Sequence, residues 1–207
     1  SDKKLIRTHA MAYFRNSNTE LVALCDIDSK ILEKYGEKYS VKNLYTNYHD
    51  MFNEQNLDCV SICTLSKSHM QLVNYAIKNK IKGIIIEKPI SNSLQSTKKI
   101  LDLCKKNNVK LVVNHQRRFF KFYQDLSASI KSKKFGKIQY VNVYYGGGIA
   151  NTGSHIFDVL RLFFGEVREI TSKKTKNLSH NIHDPNLDVN IIFKNNIICN
   201  LIALDSK

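Results

Sequence analysis

Between residues 7 and 115, short apolar runs alternate with stretches whose apolar positions recur every three or four residues. That rhythm marks strands joined by helices around a parallel sheet. The pattern predicts helices over 7–16, 29–39, 66–78 and 93–106, with Ser29 and Ser93 as caps, and strands over 20–25, 57–64, 83–86 and 110–113. After 115 the rhythm changes. A helix is expected near 120–131, then a strand with period-two alternation over 137–145, a helix over 151–164, and strands over 167–172, 187–193 and 197–204. Lys194-Asn195-Asn196 suits a hairpin turn between the last two strands. The expected fold class is therefore α/β: a doubly wound parallel sheet over 1–115, followed by an α+β domain over 116–207 with an open, mainly antiparallel sheet. The strands after 187 alternate too weakly, on this reading, to leave one face in water.

Two clusters break the pattern in a chemical direction. The run Gly83-Ile84-Ile85-Ile86 reads as a strand buried on both faces, yet it ends in Glu87-Lys88-Pro89. In α/β folds the carboxyl ends of such strands face the ligand crevice, and proline fixes the direction in which Lys88 leaves the sheet. Further on, Gly146-Gly147-Gly148 leads to Asn151, His155 and Asp158, spaced i, i+4, i+7 on one face of a helix.

Composition narrows the class. The chain has 207 residues, of which 43% are hydrophobic, enough for a core, and no apolar run approaches the roughly 20 residues of a membrane span. The opening residues do not read as a secretory signal. Five cysteines form no CxxC pair and sit mostly in apolar runs, which predicts buried thiols in a reducing cytoplasm, with no disulfide framework and no zinc site. The formal net charge is +14. Its lysines are scattered along helices, and only Lys131-Ser132-Lys133-Lys134 and Lys173-Lys174-Thr175-Lys176 form runs. Solvated faces are the plain explanation, attraction of an anionic substrate or cofactor the next, and nucleic acid the least favoured.

Taken together, the motifs resemble the Gfo/Idh/MocA oxidoreductases, the family of glucose–fructose oxidoreductase and inositol dehydrogenase. Leu24-Cys25-Asp26-Ile27-Asp28 is similar to the family's second strand with its ribose-binding acid. Cys63-Thr64-Leu65-Ser66-Lys67-Ser68-His69 resembles its T-P-x-x-x-H turn, with leucine in the proline place, and Glu87-Lys88-Pro89 its E-K-P. Asn114 to Phe119 resembles the N-x-x-R-F entry to the second domain. Gly147-Gly148 through Asp158 resembles G-G-x-x-x-D-x-G-x-H-x-x-D, with Asn151 in the place of an aspartate. The resemblance implies a dinucleotide-binding, Rossmann-like first domain and an NAD-dependent dehydrogenase acting on CH–OH groups of a sugar, nucleotide-sugar or polyol. It also implies a homodimer or homotetramer built on the open sheet, with no nucleic acid or membrane partner. Lys88 and His155 are then the catalytic residues, with the substrate held between the domains. Arg118, Asn151 and Asp158 bind substrate, and Asp26, Thr64, Leu65, Ser66, His69, Glu87 and Lys88 bind cofactor; no metal is expected. A carboxylate at Asp26 would repel a 2′-phosphate, which favours NAD over NADP.

Each residue also has a structural alternative. Asp26 could cap a helix, His69 could brace its own turn, and His155 could be a core histidine. Asp158 could pair with Arg161 or a lysine, Arg118 could make an interface ion pair, and Lys88 could be a surface lysine. His180 and His183 near Asp184 mimic a metal cluster but read as a loop. Two features depart from the family. No GxGxxG occurs, and aligned glycine positions would fall on Ser1, Lys3 and Ile6, so the first strand and glycine turn are expected to be absent from this chain and the last sheet to be incomplete. Asn151 cannot carry charge, which keeps open a catalytically inactive, cofactor-binding regulator or scaffold.

Overall fold

The computed structural model describes residues 6–206; the positions assigned to Ser1 and Lys3 lie outside them. The chain divides after Val113 into two compact units.

The first unit is built from parallel strands and helices. Helix α1 (His9–Arg15) is followed by β1 (Ala23–Cys25), α2 (Ser29–Tyr39), β2 (Asn43–Tyr45), α3 (Tyr48–Glu54), β3 (Cys59–Ile62), α4 (Ser66–Lys78), β4 (Gly83–Ile86), α5 (Leu94–Lys106) and β5 (Lys110–Val113). The strands form two parallel sheets, β1-β2 and β3-β4-β5. Elements β2 and α3 have no counterpart in the sequence pattern. Each is short, and they stand because Asn47 caps α3 by accepting the His49 N–H while Phe52 enters the core.

The two faces of β4 differ, which corrects the expectation of burial on both. Ile84 and Ile86 are sealed under α4 and α5, beside Val73, Ala76, Ile100 and Cys104. On the other face, Ser61, Ile85 and Val112 lie in register across β3, β4 and β5, and Val112 remains 43% exposed. That face is reached by α1, whose Tyr13 hydroxyl and His9 ring both bond the Ser61 hydroxyl. The same helix packs Phe14 on Tyr39 of α2.

The second unit contains a 3₁₀ turn (Gln116–Phe119), α6 (Lys121–Lys131), β6 (Tyr140–Tyr145), a π-helical turn (Gly148–Gly153), α7 (Ser154–Phe164), β7 (Val167–Lys174), β8 (Leu187–Phe193) and β9 (Ile198–Ala203). Its sheet runs β6-β9-β8-β7, with β6 parallel to β9 and the other pairs antiparallel. Within the single chain the last two strands alternate strongly in burial. Val189, Ile191 and Phe193, with Cys199, Leu201 and Ala203, face Leu160 and Phe164 of α7, and the residues between them face outward. The hydropathy pattern hides this because the outward positions include Ile192, Ile198 and Ile202 as well as Asn190 and Asn200. The hairpin at 194–196 forms as expected, with Asn196 at φ 66° and its N–H bonded to Phe193 O.

Three of the five cysteines are exposed, against the expectation of buried thiols. Cys25 ends β1, Cys59 begins β3 and Cys63 follows its last residue; the outer edge of β3 pairs with no strand among the described residues. No helix of the described residues is long and apolar enough to cross a membrane.

Candidate active site

In the first unit the candidates sit at the carboxyl ends of parallel strands. Asp26 follows β1 directly. Its N–H donates to Tyr45 O at 3.1 Å, and its Oδ1 accepts the Asp28 N–H at 3.0 Å. The cap of α2 is Asp28, whose Oδ1 accepts the N–H groups of Lys30 and Ile31 at 2.9 and 3.3 Å. Ser29, expected as the cap, is the first helical residue. Asp26 is therefore not needed by the helix, and its exposed carboxylate stands where a ribose diol could donate to it.

After β3 comes the turn Thr64-Leu65-Ser66. Thr64 Oγ1 bonds Ser68 Oγ at 2.7 Å, Ser66 donates to the Asn92 side chain, and Leu65 is 72% exposed at the start of α4. His69 lies inside the fold. Its ring nitrogens face Thr64 O and Ile90 O, each at 3.0 Å, so it ties this turn to the segment after Pro89. A neutral imidazole donates at one nitrogen only, so the tautomer decides which carbonyl receives the proton. Its buried ring makes His69 a brace of the turn, and any cofactor contact falls to the turn it holds.

Glu87 and Lys88 emerge from β4 just beyond the buried Ile86. The Glu87 N–H donates to Ile62 O at 3.0 Å, and Oε1 lies 3.0 Å from His9 Nε2. His9 thus joins Ser61 to Glu87, a link the sequence reading did not anticipate. Lys88 is half-buried, and the Lys88–Pro89 bond is cis. Beside Glu87, burial and then the carboxylate's charge push the Cys63 thiol up to about 11.

In the second unit, Arg118 leaves the 3₁₀ turn and donates from Nε to Asp158 Oδ2 at 2.9 Å. Two residues expected at the substrate are thus partners of each other, while Arg161 pairs with Glu166 instead. His155, on the first turn of α7, meets His115 edge-on with ring centroids 5.9 Å apart, and its Nδ1 is buried. Asn151 is not on α7. It belongs to the π turn, so the i, i+4 step from Asn151 to His155 crosses from a wider helix into an α-helix. Only His155 and Asp158 keep the expected α-helical spacing. Such turns recur at functional sites.

Asp184 was noted only as a neighbour of His180 and His183 in a loop, and Asn186 was missed. Both are buried, and both bond backbone N–H groups at the start of the π turn. Among the described residues no three His, Cys, Asp or Glu side chains gather as metal donors.

Residues 4–115 match the sequence model of the oxidoreductase family with an NAD-binding Rossmann fold. The chain belongs to that family. It is 25% identical to the D-apiose dehydrogenase of Paraburkholderia graminis over 187 residues, covering 82% of this chain and 50% of the relative. It is 27% identical to the myo-inositol 2-dehydrogenase of Thermotoga maritima over 161 residues, covering 70% and 48%. An oxidoreductase from Agrobacterium radiobacter, solved with NAD+, L-tartaric acid and magnesium, superposes with a TM-score of 0.82 at 22% identity, over 92% of this chain and 60% of that one. The chain thus spans about half the length of the relatives it matches. For this oxidoreductase fold, the residues present fit part of a dinucleotide. Asp26 offers a ribose acceptor, and the 64–66 turn and Lys88 lie at neighbouring strand ends. A glycine-rich cradle for the pyrophosphate is not among the described residues.

Proposed function

We propose that this chain does the work of an NAD-dependent oxidoreductase acting on a carbinol carbon of a sugar, a nucleotide-linked sugar or a polyol. The observation that carries the reading is Lys88, half-buried immediately beyond Ile86 at the carboxyl end of the central strand of a parallel sheet. That is where α/β folds meet their ligands. Asp26 would hold the ribose, and the 64–66 turn, Glu87 and Lys88 the nicotinamide end. Bound NAD supplies the hydride acceptor.

In the oxidative direction the substrate loses a hydride from carbon and a proton from its hydroxyl. Nε2 of His155 accepts that proton, since Nδ1 is buried. The Lys88 ammonium stabilises the negative charge growing on the oxygen, the electrostatic role that often dominates such steps. Asn151 hydrogen-bonds a substrate hydroxyl or the imidazole, without the charge an aspartate would add. Arg118 and Asp158, fixed by each other, offer their remaining donors and acceptors to further hydroxyls. The basic balance of the chain favours an anionic substrate, and the free thiols suit a reducing cytoplasm.

A panel of sugars, sugar nucleotides and polyols with NAD, followed by NADH absorbance, tests this. Lys88→Ala and His155→Ala should each lose about 10²–10⁴-fold in turnover while NADH still binds. Near-wild-type turnover in His155→Ala would overturn the assignment. Asn151 favours a second reading, a cofactor-binding regulator. NADH binding without turnover of any panel member would select it.

The outer face of the second unit's sheet carries Tyr140, Tyr144 and Ile198, with a side-chain ladder Asn190–Asn200–Tyr140 across three strands. On the same reading this face pairs with a second copy.

A further inference from the structure

The start of a helix exposes backbone N–H groups with no partner inside it. Here five successive ones, from Gly147 to Asn151, each find an acceptor on a distant part of the second unit. Gly147 donates to Ser206 Oγ at 3.1 Å, Gly148 to Asn186 Oδ1 at 3.0 Å and Ile149 to Pro185 O at 3.0 Å. Ala150 and Asn151 donate to the two oxygens of one carboxylate, Asp184 Oδ1 at 2.7 Å and Oδ2 at 2.8 Å. A carboxylate gripping adjacent N–H groups at a helix start is favoured by charge-assisted bonding and by the helix dipole.

The segment that presents these acceptors is itself fixed. The Asn186 amide donates to Leu178 O and Leu204 O. The Tyr145 hydroxyl donates to Leu187 O at 2.6 Å and accepts the Leu187 N–H at 2.8 Å. The approach also dictates the residue opposite. At Gly148, whose φ is +90°, a Cβ would lie 2.1 Å from Asp184 Oδ2, so only glycine lets the carboxylate close on the turn.

We propose that Asp184, with Asn186 behind it, is a positioning residue. Its fork fixes the backbone at 150–151, and with it the entry of α7 and the direction in which Asn151 and His155 point. This rests on the reading of His155 as the proton acceptor, because only then does the direction matter for turnover. Misplacing a reacting group by about 1 Å costs on the order of 10²-fold in rate.

The test uses the full chain. Asp184→Asn keeps the shape but one acceptor oxygen, so amide exchange at Ala150 and Asn151 should quicken by about 10–100-fold. Exchange at Ile191 and Leu201, in the sheet core, should not change, and this shows that the unit still folds. The His155 ring resonances should shift, and kcat should fall about 10–100-fold while NADH affinity stays as in the wild type. Gly148→Ala should have the same effects by ejecting the carboxylate, and adding Asp184→Ala to it should slow turnover no further. If wild-type protein turns over no panel member, the functional reading fails, and the exchange and His155 signals still decide the positioning claim. Faster exchange at 150–151 with unmoved His155 resonances and unchanged kcat would overturn it, as would unchanged exchange.

Discussion

The Arg118–Asp158 pair should respond asymmetrically to removal of either partner. The Asp158 side chain is 14% exposed and that of Arg118 is 38%. Arg118→Ala leaves a nearly buried carboxylate without its 2.9 Å donor, and such a group loses a charged hydrogen bond worth about 1.5–3 kcal/mol with little water to replace it. Asp158→Ala leaves a guanidinium that can turn its head into solvent, so the loss should sit near that of an exposed pair, about 0.2–1 kcal/mol. A double-mutant cycle should return a coupling of about 1–2 kcal/mol. Urea unfolding followed by far-ultraviolet circular dichroism, compared at unchanged slope, measures all three. Arg118→Lys should recover only part of the loss, because a point charge lacks the planar fork. If Asp158→Ala proves as harmful as Arg118→Ala, or the cycle returns no coupling, burial does not govern this pair and the energetic argument fails.

Cys63 is exposed yet hard to ionise. With its thiol pushed up to about 11 by burial and by Glu87, the reactive thiolate is scarce at pH 8, so alkylation should be slow there and quicken roughly tenfold per pH unit until near that value. Glu87→Gln should speed it at a given pH, as measured by mass spectrometry of the labelled peptide; an unchanged rate counts against the carboxylate's part. Tyr144→Lys, on the outer face of the sheet, should shift the protein towards monomer in light scattering. A wild-type protein that is already monomeric at micromolar concentration would remove the second copy from the proposal.

Elements were legible where one signal sufficed. Strands β4 and β5 and helix α4 have the bounds their patterns predict, because each is a run of one periodicity closed by a clear change of residue type. The three residues of β2 and seven of α3 are too few to show a period, and their stability comes from the Asn47 cap and the burial of Phe52. Cap chemistry was read one residue late at α2 since Asp28 and Ser29 both suit the position. Only the geometry shows that the Asp28 oxygen reaches the Lys30 and Ile31 N–H groups. The family itself was legible, because its motifs lie at strand ends and helix starts where side-chain type follows from chemistry.

What sequence could not supply was the partner of each motif. Glu87 was singled out without His9, Asp158 without Arg118, and the glycine run without Asp184. In each case the two residues are far apart in sequence and carry no shared periodicity, so only the fold pairs them. The glycine run shows the physical reason most clearly. Three glycines before a helix predict a flexible or ligand-binding loop, whereas Gly148 is there to admit a carboxylate that bonds the next N–H groups. Counting donors would have found it. The first backbone N–H groups of a helix need acceptors from outside it, and Gly147 to Ala150 bring no side-chain acceptor of their own. A second segment or water has to provide them. In this chain the turn of Asp184, Pro185 and Asn186 answers that need, and it does so four residues before the histidine on which the proposed chemistry depends.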